Sequence, residues 1–251
     1  MASLSSTWLH WLLLPWSGAQ VHHIEPTVYW HARLMVVAWG LLAPAMVLVA
    51  RFWKIAPGQD WPRKLDHKFW WHLHRGGQSL ALLLALAGLW LIVGWAQGRT
   101  WVAQAHGMLG WLVLALGAVQ GVSGVLRGGK GGPTDRCMAG DHFDMTPRRV
   151  WFERVHKSLG YATLGLAALT ALLGLRAADA PRWMPLGLLV WWALLALLFL
   201  RWQRQGRCID TYQAIWGPDP TLPGAAVPPV GPGVRRYADA HAWRARASPA
   251  R

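Results

Sequence analysis

Acidic residues are scarce in this chain. Eleven Asp and Glu stand against 25 Lys and Arg in 251 residues, and charged residues make up only 14% of the total. Soluble domains carry roughly a quarter of their residues as charges, so an ordinary water-facing surface is excluded. Cysteine is nearly absent. Cys137 and Cys208 belong to no Cys-x-x-Cys pair and no Cys-x-x-Cys-His run. A disulfide framework, a four-ligand structural zinc site and covalent haem attachment all fall with those motifs. No Lys or Arg precedes the apolar run from Trp8 to Trp16, so that run does not read as a secretory signal. It is also too short to span a bilayer and is broken by Pro15. Trp8, Trp11 and Leu12 suit a helix lying in the membrane interface.

What is present is apolar. Hydrophobic residues make up 54% of the chain. Five runs have the length of a bilayer span: roughly Tyr29 to Phe52 with Pro44 inside it, Phe69 to Ala96, Trp101 to Leu126, Val150 to Leu175, and Trp183 to Trp202. Proline is tolerated in such helices, often at a kink. The expected fold is all-α, an integral membrane bundle of five helices with a four-helix core. Residues 1–27 form an N-terminal segment, 28–205 the transmembrane domain, and 206–251 a tail. Beyond Pro218 the tail turns Pro- and Arg-rich, which predicts disorder. Twenty Trp residues outnumber all other aromatics. Many stand near the run ends (Trp30, Trp53, Trp70, Trp71, Trp101, Trp183, Trp202), as interfacial Trp does. The net charge of +14 invites a nucleic-acid partner, but the apolar runs argue for a lipid bilayer instead. Excess Lys and Arg then belongs to cytoplasmic loops.

That rule orients the chain. The first and third loops and the tail each hold several Lys or Arg, the segment before His31 none, and the two remaining turns one or two each. The N-terminus is expected outside and the C-terminus in the cytoplasm.

Four of the eleven histidines stand near the starts of four consecutive spans: His31, His74, His106 and His156. An ionisable residue inside a span is costly and marks function by default. Spans one and three start outside, and spans two and four start inside. His31 and His106 therefore share the outer end, and His74 and His156 the cytoplasmic end. Two facing imidazoles suit a six-coordinate haem iron with no open position, an electron carrier. Gly110 and Gly160 follow their histidines by four residues, and Gly77 follows His74 by three. They leave room for a flat macrocycle or serve close helix packing.

At these residues the sequence resembles the cytochrome b561 superfamily. The likeness covers about residues 28–217. It rests on His31 with Ala38-Trp39-Gly40 and Pro44, Trp71-His72-Leu73-His74 with Gln78, His106 with Gly110, and His156-Lys157-Ser158-Leu159-Gly160-Tyr161. The resemblance implies two non-covalent b haems on bis-His ligands, His31 with His106 and His74 with His156. It also implies transmembrane electron transfer between a cytoplasmic donor and a periplasmic acceptor, each a small molecule or a protein. Better-known members oxidise ascorbate, but none of the ascorbate-site signatures of animal and plant members is seen here. The expected class is an electron-transfer protein or transmembrane oxidoreductase, with a homodimer among the assemblies open to it. Two rivals stay open: a quinone-linked anchor subunit of a larger redox complex, and a haem-free transporter using histidine for protons or metal ions.

The remaining motifs are weaker. His72 lies two residues from His74, on nearly the opposite helix face, and the family match favours His74. His67 falls about 10 Å further out and reads as a loop residue. His22 and His23 beside Glu25 form a metal pair or, more simply, a solvated one. His10, His142 and His241 read as polar surface. Gly124 to Lys130 fits G-x-x-x-x-G-K, but Gly131 follows and no strand precedes, which rules out a P-loop. That loop instead contacts haem propionates or an anionic donor, or is simply flexible and basic. Asp135, Asp141 and Asp144 are expected to pair with Arg148, Arg149 and Arg154. Trp39, Trp90, Trp95 and Trp111 are taken as interior packing residues.

Overall fold

A computed structural model of the chain describes residues 4–20, 23–94, 100–132 and 134–237. Among these residues the fold is helical, with two isolated β-bridges and no strand. The helices are α1 (Leu4–Leu13), α2 (Pro26–Met35), α3 (Ala43–Phe52), α4 (Phe69–Ile92), α5 (Trp101–Val125), α6 (Pro147–Ala177), α7 (Trp183–Arg204) and α8 (Thr211–Trp216). A π-helical stretch, Val36–Leu42, joins α2 to α3. Among the described residues five helical segments are long and apolar enough to cross a bilayer: Pro26–Phe52, Phe69–Ile92, Trp101–Val125, Pro147–Ala177 and Trp183–Arg204. The chain is an integral membrane protein. The expected span ends agree with these to within three residues, except that the expected end of the second span at Ala96 lies outside the described residues. The expected connection through Gln97-Gly98-Arg99, Trp95, His22 and His241 lie outside the described residues.

The chain forms two compact units. The first comprises residues 1–44, 79–118 and 162–196. Its core is built from Ala38, Ala43, Ala81 and Ala85, with Trp39, Leu84, Leu114 and Leu164 packed around them. Small side chains let helix backbones approach, which is how helices associate where lipid removes the hydrophobic drive. A Cβ on Gly117 would stand 2.8 Å from Cη2 of Trp39, so this indole needs a glycine opposite it. The segment after α1 is tied down by polar contacts. The Ser17 hydroxyl and amide donate to the Asp179 carboxylate at 2.6 and 2.7 Å, and the amide of Arg182 donates to the Leu14 carbonyl at 3.1 Å. Trp8, Leu9, Leu13 and Trp16 stay exposed.

Pro44 acts on the first unit through what it lacks. It has no N–H to return to the Gly40 carbonyl four residues back. That oxygen accepts instead from the indole N–H groups of Trp191 and Trp192 at 3.1 and 3.0 Å. The π stretch ends at Leu42, just before the proline.

The second unit comprises residues 45–78, 119–161 and 197–251. Its core joins the 127–146 loop to the tail: Phe143, Met145, Tyr212, Trp216 and Val230. The Tyr212 hydroxyl donates to the Phe143 carbonyl at 2.9 Å and accepts from the Gly224 amide at 3.0 Å. Arg51 donates to the Pro232 carbonyl at 2.7 Å and Lys157 to the Val230 carbonyl at 2.7 Å. The buried Lys54 donates to the Ile209 carbonyl at 3.0 Å. Burial pulls its ammonium down to about 8, with Lys157 adding to the effect. The disorder expected beyond Pro218 therefore fails over residues 219–237. Composition predicts it, but the tail carries Leu222, Val227 and Val230 into a core begun by Tyr212 and Trp216. Residues 238–251 lie outside the described residues.

Trp191→Phe or Trp192→Phe alone leaves one donor on the Gly40 carbonyl and is expected to be nearly neutral. The double change leaves a buried acceptor without an indole donor, at about 1–3 kcal/mol. Thermal unfolding of the purified variants checks whether the double change is worse than the sum of the single ones.

Candidate functional site

The first unit contains His31 and His106, and the second contains His74 and His156. In the first, the two imidazole centroids stand 6.1 Å apart with their planes at 87°. Two imidazoles on opposite sides of one metal, each at the usual metal–nitrogen distance of about 2.0 Å, place their ring centres roughly 6 Å apart. The separation suits a metal between them. In the second unit His74 lies close enough to His156 to interact electrostatically with it, and the Phe152 ring stacks on His156 at 5.1 Å.

Each imidazole is held by its Nδ1. His31 Nδ1 lies 2.9 Å from the Gly88 carbonyl, His106 Nδ1 2.9 Å from that of Thr170, and His74 Nδ1 3.1 Å from that of Met46. A carbonyl only accepts, so Nδ1 carries the proton in all three rings. His156 Nδ1 lies 3.2 Å from the Ser123 hydroxyl. That hydroxyl already donates to the Gln120 carbonyl at 3.0 Å, so here too Nδ1–H is the donor. All four rings are thereby set in one tautomer, with the lone pair on Nε2. Such an outer hydrogen bond orients a ligating histidine and raises its basicity.

Sequence reasoning named the four rings but missed what holds them. Gln120 and Ser123 are polar residues inside an apolar span, a signal that could have found them. Gln120 Nε2 also donates to the His156 carbonyl at 3.0 Å. Gly174 was missed as well. A Cβ there would stand 2.7 Å from Cε1 of His106, so this ring needs a glycine at that turn of α6. Among the glycines read as haem room, Gly110 faces open space, Gly160 faces Gln120, and Gly77 is filled by the side chain of Met46. Gly77 therefore serves helix packing.

The other expectations divide. His72 is exposed. His142, read as polar surface, is 3% exposed. Its ring packs between Tyr212 and Trp216 at 5.9 Å from each, because the tail folds over it. Asp141 pairs with Arg148. Arg149 pairs instead with Glu153, at 3.1 Å, while Asp135 and Asp144 accept the amides of Gly131 and Gly140. Trp90 and Trp111, taken as interior, are 80% and 56% exposed. Their place among apolar neighbours in the sequence does not distinguish a lipid-facing position from a packed one.

Among the described residues no group of three or more His, Cys, Asp or Glu gathers as a metal site. Paired imidazoles supply two ligands, so an iron held by them takes its other four from a macrocycle. The residues of the first unit fit that demand: the His31 and His106 rings stand 6.1 Å apart and each is held through Nδ1. No protein-family model, curated protein or solved structure matches this chain.

Two tests follow from these contacts. In Gly174→Ala the added methyl displaces the His106 ring, whereas at the exposed Gly165 of the same helix nothing lies within 4 Å. Gly174→Ala is expected to be less stable than Gly165→Ala by about 1–3 kcal/mol, the usual cost of overpacking, as read by thermal unfolding. The second test concerns His142, whose pKa is lowered from 6.5 to about 3, first by burial and then by Arg149. The folded state favours the neutral ring. The corresponding stability is complete above pH 6.5 and is lost as pH falls toward 3. Melting temperatures measured across that window should fall less for His142→Gln than for the parent.

Proposed function

We propose that the protein is a transmembrane electron carrier holding two b-type haems, one on His31 and His106 and one on His74 and His156. The observation that carries the reading is the shared tautomer of the four rings, each with Nδ1–H donated and Nε2 left bare. A transporter that moves protons through histidine needs rings free to exchange at both nitrogens. These rings are each held at one. The resemblance of the His31, His74, His106 and His156 segments to the cytochrome b561 superfamily supports the same assignment, as does the exposure of His72.

A bis-imidazole haem supplies reversible one-electron chemistry and no open coordination position. The chain supplies the rest. Gly88, Met46 and Thr170 present carbonyls that aim three rings, and Ser123 with Gln120 aims the fourth. Gly174 leaves room for the His106 ring, and the apolar spans keep water from the imidazoles. By the distribution of Lys and Arg, the His31/His106 pair lies toward the outer face and the His74/His156 pair toward the cytoplasm; with the family resemblance, that outer face is the periplasmic side of a bacterial inner membrane. Electrons are then carried between a cytoplasmic-side donor and a periplasmic-side acceptor.

Purified protein is expected to show a Soret band, a sharp α band on reduction and two haems per chain. His31→Ala and His106→Ala should remove the same haem, and His74→Ala and His156→Ala the other. A reduced-minus-oxidised spectrum with no α band, or His31 and His106 variants that lose different haems, overturns the assignment.

A further inference from the structure

The second unit holds a cleft of about 290 Å3 whose lining includes Trp70, Trp71, Arg127, Lys130, Arg149 and one carboxylate, Asp66. Its size is near the lower end for small-ligand sites. Its walls are aromatic, and most of its charge is of one sign.

The ion pairs around it leave positive charge in excess. Glu153 is shared by Arg149 and Lys157. Asp66 is shared by Lys130 and, at 4.0 Å, Lys68. Among the described residues Arg127 has no carboxylate partner. Its guanidinium instead lies 3.8 Å over the Trp71 ring. Burial, then Arg149, then Arg75 bring its pKa down to about 10, the sign of cations crowded together with too little water or counter-charge. Partly buried charge of this kind is costly until an anion joins it. His142, 3% exposed, holds its Nε2 3.8 Å from Glu153 Oε1 without a hydrogen bond, so Glu153 is already shared among three basic groups.

We propose that this cleft binds a phosphate-type oxyanion, carried by a phospholipid headgroup or by a small soluble phosphate, through Arg127, Lys130 and Arg149. Guanidinium forks match phosphate oxygens two at a time. The Trp70 and Ile215 walls accept the less polar part of such a ligand. Basic clefts at the cytoplasmic ends of spans are places where anionic headgroups bind, and the charge distribution puts this loop on that side. The proposal does not rest on the haem assignment, because none of the four paired histidines is among the residues it uses.

The test uses the full chain in phosphatidylcholine nanodiscs, with and without phosphatidylglycerol, titrated with inorganic phosphate by calorimetry. One saturable site per chain is expected without phosphatidylglycerol. Arg127→Gln should weaken it about tenfold, the usual effect of losing a charge-assisted hydrogen bond. Arg127→Lys should weaken it less, and the exposed Arg136→Gln not at all. If phosphatidylglycerol suppresses phosphate binding, the occupant is a lipid headgroup; if binding is unchanged, it is a soluble phosphate. The absence of a saturable site in phosphatidylcholine discs overturns the proposal, as does equal weakening by Arg127→Gln and Arg136→Gln. Haem content is measured in parallel. Its loss together with phosphate binding in Arg127→Gln assigns the cations to haem propionates and overturns a separate site. A protein without haem that still binds phosphate through Arg127 fails the functional reading and keeps this one.

Discussion

A polar group inside a bilayer span has no water to turn to, and much of this structure follows from that constraint. The Gly40 carbonyl, opposite a proline that cannot donate, takes two indole N–H groups. The Gln120 side chain takes the His156 carbonyl, and Ser123 bridges the Gln120 carbonyl to the His156 ring. The same need decides the state of the imidazoles. A ring that must give its Nδ1–H to a backbone carbonyl is left with a lone pair on Nε2. Satisfying the helix interior and leaving one imidazole nitrogen unprotonated are therefore one arrangement.

The second unit meets the constraint with charge as well as hydrogen bonds. Glu153 sits 4% exposed and is held by Arg149 and Lys157. Lys157 reaches on to the Val230 carbonyl, Lys54 to Ile209 and Arg51 to Pro232. Long cationic side chains thus cap backbone oxygens of a tail that has little regular structure to satisfy them. The tail's order depends on these contacts and on the Tyr212 hydroxyl, which serves Phe143 and Gly224 together. Gly217, at φ +90°, ends α8 and lets the chain turn back.

Much was legible in the residues. The five spans were readable because length and hydropathy are properties of contiguous sequence. So were the histidines, because an ionisable residue within an apolar run stands out. Their partners were harder. Gly88, Met46 and Thr170 contribute backbone carbonyls, which every residue has, so nothing in their identity marks them. Gly174 matters only because the His106 ring arrives opposite it, 68 positions away in the chain. His142 and the 219–237 tail were misread because their burial is made by each other. Local composition predicts exposure for both.

The sequence by itself determined that the chain crosses a membrane, how many times, and which four histidines stand near span ends, since each follows from runs of neighbouring residues. Only the tertiary structure decided which nitrogen of each ring is free, which glycines face open space or a filled one, and which cations lack an acidic partner. Those depend on groups brought together from distant parts of the chain, where a hydrogen bond or a steric contact either closes or does not.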